Sequence, residues 1–126
     1  MPVELDTLTF DTASPMRAAA FWAATLGFEL DPESDDEGAL IRDPAGRTRG
    51  IFFQPVPEPK TAKNRLHIDL RPSDSMDEEV ERLLGLGAAI VGRVDVEGSF
   101  WTVMQDPEGN ELCVLRGPDD GWTPDG

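Results

Sequence analysis

The tetrapeptide Asp106-Pro107-Glu108-Gly109 has a near copy earlier in the chain, Asp43-Pro44-Ala45-Gly46. Both have the composition of a tight turn, because proline restricts φ, glycine permits a left-handed backbone and aspartate hydrogen-bonds to nearby amides. Other landmarks recur at almost the same separation, namely Ser14 with Ser75 and Gly27 with Gly87. A single repeated turn could arise by chance, but three landmarks in register indicate an internal duplication.

Working outward from the first turn, residues 3–56 predict one module. Residues 3–11 alternate polar and apolar side chains as a strand does. Ser14 followed by Pro15 is a helix start, and Gly27 predicts its end. Between them an apolar stripe of helical spacing is predicted to be buried: Ala19, Trp22, Ala23 and Leu26. Three further strands are predicted at residues 28–30, 40–42 and 50–54, with an acidic loop at 31–38.

The same order returns in residues 65–116 after a linker at residues 57–64. Residues 65–71 predict a strand, and Ser75 with Glu78 forms the signature of a capping box that opens a helix. The remaining predicted strands are residues 89–96, 100–105 and 111–115. Residues 117–126 are predicted to be a frayed polar tail, with Trp122 either exposed or packed against a partner chain.

Two such modules predict an α+β fold within one domain, residues 1–126. Each tandem βαβββ module has one helix, which covers one face of its four strands and leaves the other face to be buried. Packing the modules side by side predicts a cupped, eight-stranded mixed sheet with the helices outside. The inward-facing residues of such a cup form a concavity, which is where small ligands usually bind.

The composition bounds the range of functions. The chain has 25 acidic and 11 basic residues and a formal charge of −14. This balance argues against nucleic acid and anionic membrane surfaces as partners, and it would suit a cationic ligand. The alternative is that the acidic surface serves solubility alone. One cysteine excludes an intrachain disulfide, and the opening residues do not resemble a signal peptide, so a cytoplasmic location is expected.

The strand at residues 65–71 carries the clearest candidate site. Leu66, Ile68 and Leu70 share one face, which should lie under the second helix. His67 and Asp69 share the opposite face, which should point into the cup, and one ligand can touch both because they are roughly 6–7 Å apart along the strand.

The two modules resemble the vicinal oxygen chelate superfamily, and most closely its glyoxalase-like and bleomycin-resistance-like domains. The resemblance extends from about residue 3 to about residue 115. It is carried by Phe21-Trp22, by the stretch Asn-Arg-Leu-His-Ile-Asp-Leu at 64–70 and by Asp-Pro-Glu-Gly-Asn-Glu-Leu-Cys-Val-Leu at 106–115. It implies the fold predicted above, but the superfamily contains both metal-dependent enzymes and binding proteins.

The resemblance also implies positions for metal ligands, on the first and last strands of each module. These positions hold Thr7, Gln54, His67 and Cys113. Only His67 is a strong neutral donor, while Cys113 offers a soft thiol where a carboxylate is expected, and Thr7 and Gln54 are weak oxygen donors. Glu111 lies on the same strand face as Cys113 and could contribute. A divalent ion such as Zn, Ni, Mn or Fe is therefore possible here, but tight binding is not expected.

The other candidates each have a structural alternative. His67 is a candidate ligand or general base, and Asp69 could orient it or bind substrate, or else form an exposed ion pair. Lys60, Lys63 and Asn64 could bind a carboxylate or phosphate at the rim of the cup, or else belong to a solvated linker. Trp101 could stack on a ligand, although aromatic residues in strands are mostly core.

Two function hypotheses follow. In the first, the protein binds a small molecule without a tightly held metal, to sequester or sense it. In the second, it is a metal-dependent lyase, isomerase or related enzyme acting on a small oxygenated substrate. Open sheet edges lead us to expect a homodimer in either case.

Overall fold

A computed structural model of the chain describes residues 1–125. It contains two compact units, one formed by Met1–Pro59 and the other beginning at Lys60. None of the helices in this described part is long and apolar enough to span a bilayer.

The first unit is a four-stranded mixed sheet with one helix. Its elements are β1 (Leu8–Thr12), α1 (Pro15–Leu26), β2 (Glu29–Leu30), β3 (Ala39–Arg42) and β4 (Ile51–Pro55). The strand order is β1-β4-β3-β2, and β1 runs parallel to β4 while the other pairs are antiparallel. The Ser14 hydroxyl accepts a hydrogen bond from the Arg17 amide, and Gly27 ends the helix with a φ of 71°. The predicted helix boundaries are thus confirmed.

The core of the first unit is aromatic. Trp22 and Phe53 are completely buried. The ring of Phe10 lies 5.4 Å from each of theirs, centroid to centroid. This close packing explains why the apolar stripe of α1 faces the sheet.

The second unit repeats the arrangement. Its elements are β5 (Ile68–Leu70), α2 (Met76–Gly85), β6 (Ala89–Val96), β7 (Ser99–Gln105), β8 (Glu111–Leu115) and a 3-10 helix (Pro118–Asp120). The strand order is β5-β8-β7-β6, with β5 parallel to β8 and the other pairs antiparallel. Met76, Val80 and Leu83 form the buried face of α2.

The repeated turns have the same internal hydrogen bonds. The Asp43 carboxylate accepts from the Ala45 amide at 2.9 Å, and the Asp106 carboxylate accepts from the Glu108 amide at 2.9 Å. In each turn the glycine has a positive φ, 71° at residue 46 and 89° at residue 109. The duplication deduced from these tetrapeptides is therefore also a structural duplication.

The predicted fold class is confirmed. The chain has an α+β fold with two four-stranded mixed sheets and two helices, each module running βαβββ. The joining of the two sheets into one cup stays a prediction.

Two predicted strands are longer than the real ones. β1 begins at Leu8 rather than at residue 3, and Val3 and Leu5 are exposed. β5 contains only residues 68–70, and Leu66 is 64% exposed rather than packed under α2. In both places the alternating pattern continues beyond the residues that pair with a neighbouring strand.

The prediction of a frayed tail is wrong for the first residues after β8. The Asp120 carboxylate accepts hydrogen bonds from the amides of Met76 and Gly117, at 2.7 and 2.9 Å. Gly117 lies so close to the Asp74 carbonyl oxygen that any side chain there would collide with it. The tail is thus fixed to the start of α2 by contacts that no local pattern reveals.

Candidate functional site

The second unit contains a cavity of about 470 Å³. It lies on one face of the sheet, and its walls come from β5, β7 and β8 and from the C-terminal segment. The residues that matter for its chemistry include His67, Asp69, Arg71, Trp101, Cys113 and Trp122.

Strand pairing explains why these side chains converge. Asp69 pairs with Cys113 across the parallel strands β5 and β8, and Cys113 pairs with Val103 on β7. Alternate residues of a strand share a face, so His67 and Arg71 lie on the same side as Asp69. The face predicted for His67 and Asp69 is therefore one wall of the cavity, and Arg71 extends it.

A polar cluster occupies this wall. His67 Nδ1 lies 2.9 Å from an Asp69 carboxylate oxygen and 3.8 Å from Cys113 Sγ. The three potential ligand atoms are all within 4.8 Å of one another. Burial raises the pKa of the Cys113 thiol, and the charge of Asp69 and its hydrogen bond to the thiol raise it further. The thiol is therefore protonated at neutral pH.

The chemistry of this donor set fits a borderline-soft divalent metal such as zinc better than a hard one. An imidazole, a carboxylate and a thiol make three protein ligands, the number found in catalytic zinc sites. Binding would require Cys113 to lose its proton and His67 to exchange its hydrogen bond with Asp69 for the metal. His67 and Cys113 were predicted as ligands from the sequence, and Asp69 is the additional donor that the structure brings beside them.

Glu111, whose strand face suggested a contribution to a metal site, contacts the segment before β5. Its carboxylate is 2.9 Å from Lys60 Nζ and accepts a hydrogen bond of 2.9 Å from the Asn64 amide. Burial raises its pKa, but these partners outweigh that effect and hold the pKa below its ordinary value. Asn64 also donates its side-chain amide to Asn110. Lys60 and Asn64 thus attach the segment before β5 to β8, whereas Lys63 lines the cavity.

Thr7 and Gln54 belong to the first unit. Thr7 immediately precedes β1, and Gln54 on β4 donates its side-chain amide to Asp11 at 2.8 Å. Their roles in ligand or metal binding stay predictions. Trp101 lies on β7, and its half-buried ring lines the cavity of the second unit.

The structure adds an arginine-rich end to the cavity that sequence reasoning did not assign as a site. The Arg71 guanidinium lies 4.0 Å from the centre of the Trp122 ring and donates a hydrogen bond of 2.7 Å to the Arg116 carbonyl oxygen. The Arg116 guanidinium lies 5.7 Å from the Phe100 ring. The strand alternation that places His67 and Asp69 on this face also applies to Arg71, whereas no local pattern predicts the position of Trp122.

Comparison with solved structures gives the same fold. The fosfomycin resistance protein FosX of Listeria monocytogenes, complexed with Mn(II) and 1S,2S-dihydroxypropylphosphonic acid, is 18% identical with a TM-score of 0.72, covering 93% of this chain and 92% of that one. A glyoxalase/bleomycin resistance protein/dioxygenase family enzyme from Burkholderia phytofirmans is 17% identical with a TM-score of 0.69, covering 89% and 97%. Lactoylglutathione lyase from Agrobacterium tumefaciens is 18% identical with a TM-score of 0.63, covering 96% and 97%.

At these identities the structures establish the fold and not the activity. No curated protein sequence matches the chain. The model of the glyoxalase-like domain, however, matches residues 7–115, from the residue before β1 to the end of β8. With both βαβββ modules inside that match, the chain belongs to the glyoxalase-like domain family.

Proposed function

We propose that the protein binds a small molecule with a flat unsaturated group in the cavity of its second module, and sequesters or senses it without a tightly held metal. The observation that carries this proposal is the aromatic lining of the cavity by Phe100, Trp101 and Trp122. Its volume of about 470 Å³ lies in the range of small-molecule sites.

The charged side chains around the cavity bear on the charge expected of the ligand. The net charge of the chain would suit a cationic compound, but the lining contains the cations Lys63, Arg71 and Arg116 beside the carboxylates of Asp69 and Glu111. Glu111 is already ion-paired with Lys60. The site therefore does not share the negative balance of the whole chain, and a cationic ligand is not favoured.

Two features support binding without a tightly held metal. The Cys113 thiol is protonated at neutral pH, so a metal would have to displace its proton before the sulfur could bind. His67 Nδ1 is engaged by Asp69, and both side chains are exposed to water. A metal held by all three side chains would have to displace the thiol proton and the hydrogen bond of His67 Nδ1, and both costs lower its affinity.

Isothermal titration calorimetry with flat aromatic acids, amides and amines tests the proposal in the presence of a chelator. We expect binding without metal, weakened about tenfold in Trp101→Leu because stacking on the indole is lost. Phe28→Leu, an aromatic substitution outside the cavity lining, is the matched control and should leave binding unchanged. If no compound binds, with or without added metal, the proposal fails.

The second candidate is a metal-dependent lyase or isomerase, and the convergence of His67, Asp69 and Cys113 favours it. A bound divalent metal would polarise an oxygen of the substrate. His67, Asp69 and Cys113 would hold the ion.

Elemental analysis of untagged protein, purified without chelators beside His67→Ala, separates the two candidates. Near-stoichiometric metal that disappears in the variant would establish a metal site and displace the metal-free proposal. Metal absent from both samples after incubation with Zn, Ni, Mn and Fe would eliminate the enzyme candidate.

We further propose that the protein is a homodimer. Support comes from β6, the edge strand of the second sheet, where the apolar side chains of Ile90, Val91 and Val96 are more than half exposed. Sheet edges with exposed apolar residues readily pair with another chain. The cytoplasmic location stays a prediction from the sequence.

A further inference from the structure

Two arginines meet at one end of the cavity without a carboxylate partner. Within residues 1–125, no acidic side chain lies within ion-pair distance of Arg71 or Arg116, although the chain has 25 acidic residues. The two guanidinium groups carry like charges at the same end of the cavity, and Asp69 attracts Arg71 only from beyond ion-pair distance.

Strand topology brings these arginines together. Arg71 follows β5 and Arg116 follows β8, and the two strands run parallel with Leu70 opposite Val114. The carboxyl ends of parallel neighbours lie at the same edge of a sheet, so both guanidinium groups reach the same end of the cavity.

The position of Arg71 is fixed before any ligand arrives. Its Nη1 donates to the Arg116 carbonyl oxygen, and its guanidinium carbon lies over the Trp122 ring. The remaining N–H groups of a guanidinium held in this way form a fork that matches two oxygens of an oxyanion. Preorganisation of this kind reduces the entropy lost on binding.

We infer that Arg71 and Arg116 recognise an oxyanion group, a carboxylate or a phosphoryl group, at the end of a flat ligand that lies in the cavity. An anion placed between the guanidinium groups offsets their like charges and supplies charged oxygens at ion-pair distance, which no acidic side chain of residues 1–125 does. The inference rests on the proposed function, because it names the chemical class of the ligand that the second module binds.

Trp122 is a positioning residue for this end of the cavity. Its ring covers Arg71, and its place depends on Asp120, whose carboxylate joins the C-terminal segment to the Met76 amide at the start of α2. Without that attachment, Arg71 would lose the surface against which it is held.

Calorimetric titration with three probes that share one ring tests the inference. The probes are naphthalene-2-carboxylate, naphthalene-2-phosphonate and the neutral naphthalene-2-carboxamide. We expect the tighter anion to lose about tenfold or more in affinity in Arg116→Gln and Arg71→Gln, because a charge-assisted hydrogen bond disappears, while the amide is unaffected. The ratio of carboxylate to phosphonate affinity identifies which oxyanion the site takes.

Arg93→Gln is the matched control, because Arg93 also lies over the Phe100 ring, at 4.4 Å, but does not line the cavity. It should leave all three affinities unchanged. Arg116→Lys, which keeps the charge and loses the fork, should restore part of the affinity for the anion. Circular dichroism and thermal melting of each variant verify that it is folded.

The possible failures are distinguishable. If the amide binds the unaltered protein as tightly as the anions, or if Arg116→Gln weakens every probe equally, the anion site is refuted while the proposed function stands. If none of the probes binds the unaltered protein, the proposed function fails and the inference fails with it.

Discussion

Each of the two repeated turns is held by the carboxylate of one aspartate, Asp43 in the first and Asp106 in the second. Asp43 and Asp106 are buried, and each accepts amide hydrogen bonds from residues that follow it in the turn. A buried carboxylate that accepts such bonds is stabilised in its charged form. At Asp43 the Ala45 amide is the main cause of a lowered pKa, and the Arg47 side chain adds to it.

Asp43→Asn should therefore destabilise the protein in a pH-dependent way. The folded-state pKa of Asp43 is depressed, so its contribution is complete above the unfolded-state pKa of about 3.9 and is lost as the pH falls through the folded-state value. We expect a lower Tm for the variant at pH 7 and a narrowing difference as the pH approaches 3. Glu29→Gln, at an exposed position on β2, should show no such trend. A Tm difference between Asp43→Asn and the unaltered protein that does not change with pH would show that the charge of Asp43 does not stabilise the fold.

At the residue scale, strand alternation was enough to place His67 and Asp69 on a cavity wall. The resemblance of residues 106–115 to the last strand of a glyoxalase-like module placed Cys113 near them. Neither could predict that Asp69, and not Glu111, would join His67 and Cys113 in one cluster of possible ligand atoms. That choice depends on Lys60 and Asn64, which engage Glu111 from a segment without regular structure.

Helix α2 begins with two capping groups from different parts of the chain. Ser75 accepts from the Glu78 amide, as its sequence position predicted, and Asp120 accepts from the Met76 amide. The first four amides of a helix lack partners within it, so each of these bonds satisfies an otherwise unpaired donor. Negative charge at Asp120 also interacts favourably with the amino end of the helix dipole.

Asp120→Ala should lower the free energy of unfolding by about 1 kcal/mol, the usual effect of losing a capping side chain. It should also release the C-terminal segment, which limited proteolysis with mass spectrometry would detect as faster cleavage after β8. Asp119→Ala removes a neighbouring exposed carboxylate and serves as the control. Equal proteolysis of the two variants would show that Asp120 does not anchor the tail.

At the element scale, helix starts were predictable because their signals are local: Ser14 and Ser75 both act as caps. Strand limits were less predictable, because a strand ends where its partner ends. Residues 3–7 continue the alternating pattern of β1, but they are not among the residues of β1 that pair with β4, so the strand begins only at Leu8. The anchored tail escaped prediction because Asp120 acts on an element more than forty residues away in sequence.

Over the whole molecule, duplication gives two sheets of the same topology, each with open edge strands. Only the second has an edge strand of eight residues with several exposed apolar side chains, within the part of the chain that the structure describes. Long apolar edges promote association, and a lysine at such an edge opposes it.

Sedimentation equilibrium should therefore detect a particle of twice the chain mass of 13.8 kDa. Ile90→Lys should shift it toward the monomer, because the lysine would bring an unpaired charge into the contact. Ser73→Lys adds the same charge at an exposed position off the strand and should leave the dimer intact. A monomeric unaltered protein at high micromolar concentration would refute the dimer.

The placement of the three tryptophans has an optical consequence. Trp22 is sealed in the core of the first unit, whereas Trp101 and Trp122 are half-buried at the cavity of the second. Emission from Trp22 should be blue-shifted and inaccessible to iodide, while the cavity indoles should emit at longer wavelength and be quenched. In one fluorescence spectrum, Trp22 thus serves as an internal reference and the cavity tryptophans report on ligand binding. Occupancy of the cavity can therefore be followed without any label.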